Sequence, residues 1–131
     1  MASGFYTNFK ALLGSAQCNL TDTTFKVAAF SGSFVFDPSN VYLSEINANQ
    51  LGSGIPLQDP AIVDGFLTGT TNDFYDVSNG DVISVLVYYR ETGDPKTSPL
   101  IGYDDGAAGL PYTSDGTNIK CGWPNNQVLA L

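Results

Sequence analysis

Histidine is absent from the 131 residues, and with it go the commonest general base and the commonest metal ligand. Cysteine occurs only as Cys18 and Cys121, near opposite ends of the chain. The N-terminus lacks the basic start and apolar run of a secretory leader, and Met1-Ala2-Ser3 reads as a cytoplasmic start. Two reduced thiols are therefore expected, with a single disulfide as the alternative. Basic residues are few: Lys10, Lys26, Arg90, Lys96 and Lys120 stand singly against 13 acids, for a net charge of −8. A phosphate backbone needs clustered lysine and arginine, so nucleic acid is not expected as a partner, and neither is an anionic membrane. No run of ~18 apolar residues marks a membrane-spanning helix. Charged residues make up 14% of the chain, against an average of about 25%. The surface must then be covered largely by Ser, Thr, Asn, Gln and Gly, which suits contact with other protein surfaces.

What is present argues for a packed fold. Hydrophobic residues are 43% and aromatics 12%, well outside the composition of disordered chains. The length fits one domain over residues 1–131. Phe5, Phe9, Leu12 and Leu13 share one face at helical spacing, predicting a helix over residues 4–14 with Ser3 as cap and Gly14 as stop. Residues 23–30 read as a strand, with Phe25, Val27 and Ala29 on one side and Thr24, Lys26 and Ala28 on the other. Residues 34–36 form a short extended piece. Residues 41–47 form a helical turn with Tyr42, Leu43 and Ile46 inward, and residues 51–56 a loop. Strands follow at 61–67 and 74–77.

The strongest strand covers residues 81–90, with Val82, Ser84, Leu86 and Tyr88 on one face and Ile83, Val85, Val87 and Tyr89 on the other. Two apolar faces predict a central position in a sheet. Residues 99–103 are its hairpin partner across a turn-rich link. Residues 117–123 form a further strand, with Ile119, Cys121 and Trp123 on one side, and residues 127–131 the last. About seven short strands between turn signals predict a mainly β fold, either an antiparallel sandwich or a jelly-roll-like, partly closed barrel, with one short N-terminal helix.

Catalytic chemistry finds little to use. A nucleophilic cysteine or serine has no histidine beside it, and no Ser-x-x-Lys is present. Gly52-Ser53-Gly54 lacks the strand, helix and lysine of a phosphate loop. Asp104, Asp105 and Asp115 would make a calcium site only if their loop folded back, and Asp-Gly pairs are more often plain turns. No carboxylate pair is placed for glycoside hydrolysis. The reading is a non-enzyme with no cofactor and no metal. Aromatic and apolar residues outside the core pattern are the candidates for contact: Phe5, Tyr6, Tyr42, Leu110, Pro111 and Tyr112.

Three segments in order carry a resemblance. They are Thr24-Phe25-Lys26-Val27-Ala28, then Tyr42-Leu43-Ser44-Glu45-Ile46-Asn47-Ala48-Asn49, then Val85-Leu86-Val87-Tyr88-Tyr89-Arg90-Glu91-Thr92-Gly93-Asp94 continued by Thr97-Ser98-Pro99-Leu100-Ile101-Gly102-Tyr103. With Trp123 and Leu131 closing the chain, the set resembles a family of small virion proteins of tailed bacteriophages. The likeness spans most of the chain and departs over residues 50–80 and 104–116. It implies a structural role in the particle, as a capsid cement or decoration protein that binds the phage major capsid protein. Such a protein would self-associate as a dimer or trimer and sit in the virion after assembly in the host cytoplasm. Two other readings stand beside it. One is a tail or neck component, connector or tube, whose acidic lumen lets DNA slide. The other is a carbohydrate-binding module using exposed aromatics.

Overall fold

A computed structural model describes residues 3–14, 20–21, 24–70, 72–74, 77–105, 110–117 and 119–130. The fold is mainly β, its sheets are antiparallel, and the described residues include one short α-helix. The main sheet has five strands in the order β1-β9-β8-β2-β3: β1 is Ser3–Phe5, β2 Phe25–Phe30, β3 Gln50–Pro56, β8 Val85–Arg90 and β9 Leu100–Asp104. Between β3 and β8 lie β4 (Ala61–Val63), β5 (Phe66–Thr68), β6 (Asn72–Phe74) and β7 (Val82–Ile83). After β9 come β10 (Tyr112–Thr113), β11 (Ile119–Cys121) and β12 (Gln127–Ala130). These form a three-stranded sheet β12-β5-β4 and two ribbons, β10-β7 and β11-β6. The helix α1 is Thr7–Gly14. The sheets do not close into a barrel, so of the two expected architectures the structure is the sandwich-like one.

Strand period explains the layers. In β2, Phe25, Val27 and Ala29 face one core while Ala28 and Phe30 face another. In β8, Leu86 and Tyr88 join the first core, and Val85, Val87 and Tyr89 the second. The first core fills the space between the main sheet and the short sheets, with Leu67, Phe74, Ile119, Trp123, Val128 and Leu129 from the far side. The second is capped by Tyr6, Phe34, Leu43 and Ile46. With β9 on one side and β2 on the other, β8 holds the expected central position.

Several expectations change. The strand over 81–90 is broken at Ser84, whose N–H donates to Phe30 O at 3.0 Å. The break shifts the period, so Ile83 joins the core of Leu86 and not that of Val85. The segment 61–67 is not one strand but the β4–β5 hairpin, turned at Asp64 and Gly65 with φ of 51° and 81°. Two positive φ values in a two-residue loop suit the strands' right-handed twist, and Asp-Gly is a favoured pair there. The expected loop at 51–56 is strand β3, paired with β2 around a bulge.

The expected helix start is also wrong. Ser3–Phe5 is a strand on the edge of β9, and the helix begins at Thr7. Gly4 is a poor helix former, and pairing with β9 satisfies backbone groups that an early helical turn leaves open. Leu43 and Ile46 turn inward on two short 3-10 turns, Leu43–Glu45 and Asn47–Asn49, but Tyr42 stays 41% exposed. Tyr75, Asp76, Leu131 and Cys18 lie outside the described residues, as does the side chain of Cys121, and with them the expectation that the two cysteines are reduced.

Candidate functional site

The segments that carried the resemblance meet in space. Tyr42 bridges to Pro99, Leu43 N–H donates to Ser98 O at 2.9 Å, and Ser44 N–H to Pro95 O at 2.9 Å. Leu100 N–H returns a bond to Val41 O at 2.8 Å. The Glu45 carboxylate accepts from the N–H groups of Val41 (2.6 Å) and Tyr42 (2.7 Å), closing the turn from inside. The loop between β8 and β9 is held the same way. Gly93 N–H donates to the Glu91 carboxylate at 2.9 Å and Lys96 N–H to Asp94 at 2.9 Å. The hydroxyls of Thr92 and Thr97 share a 2.6 Å bond, and the buried Ser98 hydroxyl donates to Asp94 O at 2.9 Å. These polar side chains hydrogen-bond within their own loop and fix its shape.

Beside that loop lies an open polar groove of about 530 Å³, lined in part by Lys26, Asn47, Gln50, Ser53, Tyr89 and Glu91. Its floor depends on Gly54, because a Cβ there would stand 1.9 Å from the Tyr89 hydroxyl. Burial, and then the charge of Glu91, push the Tyr89 phenol up to about 12. The groove offers an ammonium, a carboxylate and amides, a set that binds polar groups.

The six expected contact residues separate. Phe5 is half-buried and stacks on Phe9 with ring centroids 5.2 Å apart. Tyr6 is wholly buried, which corrects its placement on a contact surface. Its N–H bonds Ile101 O at 3.0 Å where the chain turns from β1 into α1, and its ring packs on Phe36. Its hydroxyl has no hydrogen-bond partner among the described residues, and burial, then Tyr103 and Asp37, raise its pKa far above the usual phenol value. Leu110 is half-buried against the first core. Pro111, joined to it by a cis peptide bond, and Tyr112 on β10 are exposed. Tyr42 is exposed on a different element, the turn beside Pro99.

Sequence reading missed other exposed apolar side chains: Val35 at 80%, Ile62 and Val63 at 50% each, and Val82 at 41%. Ile62 and Val63 lie on β4, an edge strand of its sheet. The signal that could have found them is the Asp64-Gly65 hairpin turn, which makes β4 a separate strand.

Asp104, Asp105 and Asp115 are not brought together as a set of three among the described residues. Asp115 accepts from the N–H of Thr117 at 3.0 Å and from its hydroxyl, and these bonds lower its pKa. Among the described residues no three His, Cys, Asp or Glu side chains converge. Among the same residues no helix is long and apolar enough to cross a membrane.

Compared with protein-family models, with curated proteins and with solved structures, the chain matches none.

Proposed function

We propose that this chain is a structural protein of a tailed-bacteriophage virion, a cement or decoration protein that binds the major capsid protein and stabilises the shell. The observation that carries the reading is where its apolar surface lies. Ile62, Val63, Val82 and Tyr112 are exposed on short peripheral strands, and Val35 and Tyr42 outside the strands, while the central strands β2 and β8 bury their large apolar side chains on both faces. With the centre filled, these outlying side chains form the apolar surface that contact with neighbouring subunits would bury, and the cores of interfaces are apolar. The low charge density and the ordered segments quoted above support the same reading. The protein acts without catalysis, cofactor or metal, and as a dimer or trimer.

Particles assembled without it should lose their DNA at lower temperature and under milder osmotic shock than complete ones. Equal survival of both would sink the cement role. The net charge of −8 also favours a second reading, a tail or neck component whose acidic lumen repels DNA. Copy number separates the two: cement is spread over the whole head, whereas a connector or tube component forms rings confined to the tail axis.

A further inference from the structure

The geometry points to β4 as the strand on which the capsid subunit docks, by adding a strand of its own that is apolar at its middle and carries lysine or arginine at both ends. This inference rests on the cement reading for the identity of the partner.

The open edge comes first. β4 is one of the two edge strands of the sheet β12-β5-β4. Its partners in β5 are Val63↔Phe66, Ile62↔Leu67 and Ala61↔Thr68. In a two-residue hairpin the pair flanking the turn exchanges both backbone bonds, and the next pair does not. The Thr68 hydroxyl reaching Ala61 O at 3.2 Å agrees with that phase. The Ile62 N–H and C=O therefore point away from β5, toward a side on which no strand pairs with β4 among the described residues.

The side chains make the same selection. Ile62 and Val63 are consecutive, so they stand on opposite faces of the strand, and both are 50% exposed. A ligand lying on one face covers one of them. An added strand brings side chains to both faces and also satisfies the outward backbone groups.

Charge decides the occupant. Asp59 and Asp64 flank the strand, both exposed, with φ of 50° and 51°. From Lys26 to Arg90 the sequence has no basic residue, so these acids have no cation near them in the chain. A second copy is the wrong partner. Antiparallel pairing centred on Ile62 sets Asp64 of one copy opposite Pro60 of the other, next to its Asp59, and does so twice. Like charges so placed oppose pairing. A strand with basic ends reverses the sign. Pro60 limits the contact to a few residues, so each copy binds weakly and a dimer or trimer holds the shell by engaging two or three subunits at once.

The test uses the full chain and purified capsid shells in co-sedimentation. Two double variants leave the backbone alone: Ile62→Thr with Val63→Thr keeps the β-branched shape, and Asp59→Asn with Asp64→Asn keeps residues that accept positive φ. The first should weaken binding about tenfold. The second should weaken it severalfold and flatten its dependence on salt. Hydrogen exchange on the wild-type protein adds a reading that needs no variant: the Ile62 amide should become protected on the shell. If the wild type binds while both variants bind equally well and the Ile62 amide stays fast, strand addition is wrong and the cement reading stands. If the wild type does not bind shells, the cement reading falls and takes this docking with it. A dimer of the free protein that the Thr variant dissociates would overturn the choice of occupant.

Discussion

Strands β8 and β4 are built from the same kind of residue and end in opposite states. Val85, Leu86, Val87, Tyr88 and Tyr89 are all buried, whereas Ile62 and Val63 are half exposed. Hydropathy does not separate them. Neighbours do: β8 is paired on both sides and roofed on both faces, and β4 has one paired side. The apolar content of β8 stabilises the fold, while that of β4 stays at the surface.

Substitutions should display that difference. Leu86→Ala leaves a cavity in the first core and should cost roughly 2–5 kcal/mol of stability in urea denaturation. A loss no larger than that of an exposed substitution would mean β8 is not the centre of the fold. Tyr88→Phe removes the acceptor of the buried Trp123 Nε1–H, now bonded at 2.8 Å, and should cost about 1–3 kcal/mol.

Alkaline titration probes the other face of β8. Tyr89 keeps its proton up to about 12, whereas an unfolded tyrosine releases it near 10. Unfolding between those values releases a proton, so the stabilisation is whole below about pH 10 and fades as pH rises through 12. The buried Tyr6 acts in the same direction. The melting temperature should fall over that window, and Tyr89→Phe should flatten the fall. At the small end, Ile62→Thr with Val63→Thr should change stability by no more than ~0.5 kcal/mol per site, since surface positions away from special features are tolerant. A large loss there would show that β4 belongs to the folding core and not to a contact rim.

What the sequence made legible follows from how local its causes are. The period-two faces of β8 and β2, the β8–β9 hairpin and the sandwich class rest on patterns within a few residues. Strand β3 was hidden because Gly52 and Gly54 are poor strand formers. Gly54 is nonetheless needed, since the Tyr89 hydroxyl takes the space of its side chain, a contact between residues far apart in the chain. The start of α1 went astray because the open edge of β9 captures Ser3–Phe5. The contact residues fared worst. Tyr6 reads as an exposed aromatic until the chain's turn places it under Phe36, and the exposure of Ile62 depends on a sheet that stops at β4.

The bond between Trp123 and Tyr88 has one more consequence. Trp123 is the single tryptophan of the chain, buried between the two layers, with its ring 6.4 Å from that of Tyr88. The protein therefore carries its own fluorophore at the seam of the sandwich. Parting of the layers will shift its emission to longer wavelength. Loosening of the turns that cap the opposite face will leave the emission as it was, so one spectrum tells the two events apart.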